Sequence, residues 1–361
     1  MSIGMYVLGV AMHPAQPVAS DKRLEEMVFD TARACLRDAG VRRAQLDHVT
    51  IAGCDELDGR SISSMLLAAP SGAYLKDEIK ATDSGLHGLC LEATRLASGR
   101  FHLGLVVSWC KTSTAPLEDV MRMRCDPFFT RPIGLNMSIA DGLMANVIEC
   151  DEKEAAEAAS TYFRCAMKNP RGVRPPPLSA KQIQSSPYVA APLRSGHQAP
   201  FSDGAIALLM ASQDWVEANP SVSKLARLSG IGWQVDSYQL GRSRLQSFGA
   251  VKGAFSAAAR RAGITDASTI DVIEIDAQTG YHDVAIRRAL QLPDSVRVSP
   301  SGGPFAQNPY FCTGLIAAGE AVLQVAGRAG PVQVANVRRA AAVGLCGFAA
   351  QSAAAAIFEG V

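Results

Sequence analysis

"LEEMVFDTARACLRDAGVRRAQLDHVTIAGCDE", residues 24–56, returns in altered form as "VKGAFSAAARRAGITDASTIDVIEIDAQTG", residues 251–280. Each copy predicts an amphipathic helix that ends in Ala-Gly, a short polar loop, and an apolar strand entered through Asp47 or Asp271. Gly40 and Gly263 stand just past the last helical turn, where glycine takes up left-handed backbone without a Cβ penalty. The echo continues downstream. "SGLHGLCLEATRLASGRFHLGLVVS", from Ser84, matches "TGLIAAGEAVLQVAGRAGPVQVANV", from Thr313, in elbow, helix, Gly-Arg stop and β-rich run. Strands and helices alternating at this length imply parallel pairing with right-handed crossovers. The fold class expected is therefore α/β: two similar βαβ-type halves stacked in layers, with helices between two sheets.

The halves are expected to divide at residues 1–212 and 213–361, with an insertion at about 115–200 lying over the first. That insertion carries Met, Phe and Arg, a helix around Glu152 to Met167, and "RPPPL", which neither pairs in a sheet nor continues a helix. Long irregular insertions of this kind are more often functional than ornamental. Its Met121, Met123, Phe128, Phe129, Met137 and Met144 suit either a bulky apolar substrate or packing at a dimer interface.

The 361 residues are 48% hydrophobic and 19% charged, which suits a well-packed globule and excludes a disordered chain. With 35 basic and 34 acidic residues, net charge +1, nothing steers the chain to nucleic acid or a membrane surface. No apolar run reaches the roughly 18 residues of a membrane span. The N-terminal "MSIGMYVLGVAMHPAQ" lacks a basic leader and reads as a first strand. Nine cysteines, scattered singly without a CxxC pair, point to a reducing cytoplasm and to small core residues.

Three loops carry candidate chemistry. In "ATDSGLHGLCLEATRLASGR", from Ala81, Cys90 falls on the apolar stripe of a helix and reads as core, while Asp83 or Ser84 reads as its cap. In "SPSGGPFAQNPYFCTGL", from Ser299, Gly302-Gly303 turns the backbone sharply or lets it approach a ligand; Asn308, held extended by Pro309, offers an amide donor to an oxyanion. "AAAVGLCGFAAQ", from Ala340, sets Cys346 beside Gly347. "IEIDAQTGYHD" places Asp276 at the exit of a buried strand, where catalytic groups gather in parallel sheets, and leaves His282 and Asp283 to read as surface residues.

These loops, in this order and over essentially the whole chain, resemble the thiolase superfamily, most closely its sterol-carrier or lipid-transfer type. "APFSDGAIALLMAS" and "NPSVSKLARLSGIGW" resemble the segments around the start of the family's second half. "SGGPFAQNPYFCTGLIAAGEAV" resembles its Gly-Gly … Gly-His-Pro … Thr-Gly loop. Against that pattern Thr82 stands where the family carries its acyl-accepting cysteine, Asn308 where it carries the His of Gly-His-Pro, and Asp276 at or close to the place where some members carry a His. Cys346-Gly347 lies within one residue of the C-terminal cysteine, but Phe348-Ala349-Ala350 replaces the usual glycine run.

A Thr hydroxyl without a base is a poor nucleophile. The resemblance therefore implies an acyl-CoA enzyme that breaks or makes a C–C bond, by retro-aldol or acyl transfer, without that cysteine. Asn308, Cys346, Asp276 and Tyr310 (or Tyr281) are its expected catalytic groups. Ser84, Gly85, Gly302, Gly303 and Gly347 are the expected backbone support, and Arg122, Arg124, Arg131 and Arg171 of the insertion suit either CoA phosphates at the pocket mouth or a solvated loop. No permanent cofactor or metal is expected, with a CoA thioester as substrate. A homodimer or a heteromer is implied, the partner being an OB-fold and zinc-ribbon acyl-CoA-binding protein or a second thiolase-like chain. The alternative is an inactive subunit that supports an active homologue.

Overall fold

The structure, a computed structural model, describes residues 4–82 and 84–361. The strands of its first part are β1 (Met5–Met12), β2 (His48–Gly53), β3 (Asp77–Thr82), β4 (Leu103–Lys111), β5 (Tyr188–Ala190), β6 (Leu193–Arg194) and β7 (Asp203–Ser212). Those of the second are β8 (Ala226–Val235), β9 (Val272–Ile275), β10 (Arg297–Val298), β11 (Arg339–Cys346) and β12 (Ser352–Glu359). Ten of them form one mixed sheet in the order β10-β9-β11-β12-β8-β1-β7-β4-β2-β3, and β5 pairs with β6 in the insertion.

The repeat is visible strand by strand. β3, β2 and β4 run parallel, then β7 and β1 antiparallel. β10, β9 and β11 run parallel, then β12 and β8 antiparallel. The Asp47 carboxylate accepts the N–H groups of His102 and Leu103 at the entry to β4. Asp271 does the same for Arg338 and Arg339 at the entry to β11. Gly40 and Gly263 both sit at left-handed φ, 67° and 69°, just beyond the helices Leu24–Asp38 and Gly249–Arg261. One expectation changes: the two sheets are not separate. β1 and β8 join them edge to edge through Met5–Leu228, Tyr6–Arg227 and Val7–Ala226.

Three cores separate the layers. The 24–38 helix packs Met27, Val28 and Cys35 on the outer face of the first half, against Val49, Leu105 and Val107. The 249–261 helix, with Glu152–Ala166 of the insertion and Gly280–Ala289, covers the outer face of the second half. Between the halves lie the helices Gly85–Ala97 and Thr313–Val325, in contact with each other and with strands of both. Every residue from Thr313 to Gln324 is buried, as a helix walled in on all sides must be. Its one carboxylate, Glu320, is met by Arg171 of the insertion at 2.5 Å.

These two inner helices cross at glycine. A Cβ on Gly85 would lie 2.7 Å from Leu315 Cβ and 2.9 Å from Ser108 Oγ; one on Gly314 would lie 3.1 Å from both Leu86 Cβ and Gly344 Cα. Gly85 has no room for a methyl group, and at Gly314 the neighbours would have to give way. Gly85→Ala should therefore cost about 1–3 kcal/mol through overpacking. Urea unfolding measures it, and a change below about 0.5 kcal/mol, the range of ordinary surface substitutions, would show that the crossing is not tight.

Candidate active site

Three segments meet between the halves. β3 ends at Thr82, the loop ahead of the 313–325 helix carries Asn308 and Tyr310, and β11 ends at Cys346. Cys346 and Gly347 wall a narrow niche together with Met137, Asp141, Asp276, His282 and Tyr310. Cys346 also faces Thr82 across two adjoining clefts, one bounded by Tyr310 and Arg124, the other by His87 and Ser352. The structure thus brings Thr82, Asp276, Tyr310 and Cys346 to neighbouring walls.

Asp276 is 3% exposed. Its Oδ1 accepts the Gln278 amide at 2.7 Å and its Oδ2 the Leu345 N–H at 3.2 Å. Burial nevertheless pushes its carboxyl up to about 6, because desolvation disfavours the charged form more than these donors favour it. Burial, then the nearby Asp141, Asp276 and Cys346, hold the Tyr310 phenol well above its ordinary value, so it stays a protonated donor.

Asn308 is fully buried and its amide is already spoken for. Its Nδ2 donates to Gln278 Oε1 at 3.0 Å and to the Ala199 carbonyl at 3.4 Å. Both acceptors fix the amide's orientation. The atom without a partner among the described residues is Oδ1, which cannot donate to an oxyanion. Asn308 orients Gln278, which in turn holds Asp276; that is a correction to its expected role.

The expected backbone donors are mostly occupied as well. Ser84 caps the 85–97 helix, its Oγ accepting the His87 N–H at 3.4 Å and lying 2.8 Å from His87 Nδ1. Asp83, the other candidate cap, lies outside the described residues. The Gly85 N–H donates to the Phe311 carbonyl at 3.0 Å. Gly302 and Gly303 do turn the chain with positive φ, 85° and 47°, but against protein: a Cβ on Gly302 would meet Ala166 at 2.5 Å, and one on Gly303 would meet Tyr162 at 3.0 Å. Of the five glycines and serines expected there, Gly347 alone is on the niche wall.

Other expectations shift too. Tyr281 is buried against His197, with no hydroxyl partner among the described residues. His282 and Asp283 are not surface residues but are 3% and 2% exposed. Asp283 is structural, accepting from Tyr162 Oη and Arg287 Nε. Cys90 is a core thiol pushed up to about 12 by burial. Of the four arginines, Arg171 pairs with Glu320, Arg131 donates to the Met123 and Cys125 carbonyls, and Arg122 lies by Asp119. Arg124, paired with Glu56, is the one on a cleft wall.

The turn after Gly347 holds two alanines in left-handed backbone, Ala349 at φ 47° and Ala350 at φ 57°. The backbone keeps the shape that a glycine run adopts freely, at a strain of about 1–2 kcal/mol per alanine. Arg244, 8% exposed, clamps it by donating to the carbonyls of Phe348 and Ala349 at 2.5 and 3.2 Å. Ala350→Gly should therefore stabilise the protein by about 0.5–1 kcal/mol after glycine's own entropy is subtracted. A lower urea midpoint in that variant would contradict it.

Sequence reasoning missed Asp141, Gln278 and the burial of His282. Gln278 stood in the quoted strand exit, two residues past Asp276, where an amide reaches back to a carboxylate. Asp141 had no such signal, because its helix Met137–Val147 belongs to the insertion and has no counterpart in the repeat.

No family model matches the chain. Human mitochondrial 3-ketoacyl-CoA thiolase superposes with a TM-score of 0.83 at 17% identity, covering 99% of both chains. The same protein in complex with CoA gives 0.82, at 17% identity over 99% and 98%. The Ltp2-ChsH2(DUF35) aldolase gives 0.82, at 15% identity over 99% of this chain and 98% of the other. Likeness at such low identity speaks for the fold. Acetyl-CoA acetyltransferase of Methanothermobacter thermautotrophicus is 29% identical over 354 residues, spanning 87% of this chain and 89% of the relative. The chain has the thiolase fold over essentially its whole length. The proteins that share this fold include acyl-CoA thiolases and an aldolase. No helix among the described residues is long and apolar enough to cross a membrane.

Proposed function

We infer that this chain makes or breaks a carbon–carbon bond on an acyl-CoA-type thioester, by retro-aldol cleavage or acyl transfer, without a cysteine nucleophile at position 82. The observation that carries the reading is the niche: a raised, buried Asp276 and a protonated Tyr310 face each other's space beside Cys346. Retro-aldol cleavage needs those two groups. Asp276 takes the proton of a β-hydroxyl, the Cα–Cβ bond breaks, and its electron pair passes to an enolate whose oxygen accepts the Tyr310 O–H. The niche is too tight for a whole acyl chain; the adjoining clefts, walled by Met121 and Phe311 or by Leu91 and Trp233, take the apolar remainder. Cys346, at the junction of all three spaces, is the thiol next to the reacting centre.

A partner belongs to the same proposal. The aldolase neighbour is itself a pairing of Ltp2 with ChsH2(DUF35). The insertion here exposes Met123, Phe128, Phe129 and Ile133 at 55–81%, an apolar surface that suits a covering chain.

The test is incubation with 3-hydroxyacyl-CoA thioesters bearing straight, branched and ring-containing tails. The expected products are a carbonyl compound and a shortened acyl-CoA, with no acylated protein by mass. An acyl adduct on Cys346 would instead indicate transfer, and silence across the panel, with or without a partner chain, would favour the inactive-subunit alternative. Asp276→Asn should lower cleavage by about 10²–10⁴-fold, the range for a lost general base, whereas Thr82→Ala should cost less than about tenfold. Because Asp276 acts ionised, activity should rise with pH through about 6. A profile flat across that region in the wild-type protein would remove Asp276 from the base's role.

A further inference from the structure

We propose that Asp141 is a further catalytic residue of this site: it delivers the proton to the α-carbon of the cleaved acyl thioester, and takes it away in the reverse direction. The proposal rests on the thioester reading above and deepens it. Asp141 is on the 137–147 helix of the insertion, with its side chain 13% exposed. It lines the niche together with Asp276, and it also lines the larger cleft outside, with Glu118, Ser138 and Gln278. A carboxyl on both walls passes protons between an enclosed space and an open one.

Its neighbours favour the protonated form. His282 Nε2 lies 3.7 Å from Asp141 Oδ1. On the other side of that ring, Thr279 Oγ1 is 3.0 Å from Nδ1 while accepting the His282 backbone N–H at 3.1 Å. Burial lowers His282 to about 4, so the ring is neutral and brings no charge to ionise its partner. Burial, then repulsion from Glu118 on the Leu117–Met123 helix, pushes the Asp141 carboxyl up to about 8. Glu118 itself is held by the Met137 N–H and the Ser138 hydroxyl, both at 3.0 Å. The remaining ionisable groups facing the space are Asp276, Tyr310 and Cys346. Two carboxyls whose surroundings set their proton affinities apart divide acid from base.

The step balances without an oxidant or a metal. The Asp276 carboxylate gains the β-hydroxyl proton as the Cα–Cβ bond breaks, and the enolate's electron pair takes the Asp141 proton at Cα. The products are a carbonyl compound and the shortened thioester. Asp276 is left protonated and Asp141 ionised, and solvent in the outer cleft restores both. Microscopic reversibility then demands that ionised Asp141 remove an α-proton from the short thioester.

The experiment follows α-hydrogen exchange of propionyl-CoA in D₂O by mass, using the full chain, with its partner where one is found. Wild-type exchange should rise with pH to a plateau above about 8, while cleavage falls over the same range. Asp141→Asn should lose at least about 100-fold of the exchange, and Asp141→Glu should recover part of it. Wild-type exchange and pH profile in Asp141→Asn would overturn the proposal. A wild-type protein that neither exchanges nor cleaves sinks the thioester reading instead. Asp141 is then decided by ¹³C NMR of protein carrying [γ-¹³C]aspartate. A carboxyl signal titrating near 8, absent in Asp141→Asn and shifted by added CoA, supports it; titration in the ordinary carboxylate range overturns it.

Discussion

The crossing of the two inner helices at Gly85 and Gly314 is the contact on which the rest of the molecule depends. With no Cβ on either glycine, each helix start sits against the other helix and against a strand, Ser108 of β4 on one side and Gly344 of β11 on the other. Both N-termini are thereby brought to one place. Thr82 and Ser84 arrive with the first helix, Asn308 and Tyr310 with the second, and Cys346 two residues after Gly344 on β11. The three-pair seam between β1 and β8 is too short to hold the halves in register by hydrogen bonds alone. The shared apolar layer built by these helices does most of that work, since burial scales with area and this layer draws on both halves.

Around that point, the chemistry is set by burial rather than by charge pairing. Among the described residues Asp276 and Asp141 have no cationic partner to hold them ionised, and desolvation raises both. Other buried carboxylates have cationic or imidazole partners, as Glu320 has Arg171 at 2.5 Å and Glu92 has His48 at 2.6 Å. Glu274, bonded among the described residues only by Ser301, is raised by burial as well, so it is the shared niche that sets Asp276 and Asp141 apart.

Much of the fold was legible because the sequence repeats its own punctuation. Ala-Gly stops, the Asp47 and Asp271 strand entries and the Gly-Arg helix ends recur with the same local roles in both halves. Asp276 was legible for a similar reason, as the residue at the exit of a buried parallel strand. What could not be read were contacts that cross the repeat. A Gly-Gly pair looks the same whether a ligand or a helix presses on it, and only the position of Ala166 shows that Gly302 yields to a helix. Asn308 carries a donor amide in sequence, but Ala199 and Gln278, far away in the chain, occupy it. Arg171 and Asp141 both belong to the insertion, where no second copy constrains the reading; one proved structural and the other lines the niche. The alanines at 349 and 350 show the reverse case, in which residue types changed while the backbone shape persisted.

The central claim is that the reacting end of a thioester sits between Asp276 and Tyr310, not against Thr82. A crystal structure of the protein with a non-cleavable ketone analogue of propionyl-CoA measures this directly. The carbonyl oxygen should lie about 2.7 Å from the Tyr310 hydroxyl, with Cα directed toward the Asp276 carboxylate. A carbonyl bound beside Thr82 and out of reach of Tyr310 would contradict it.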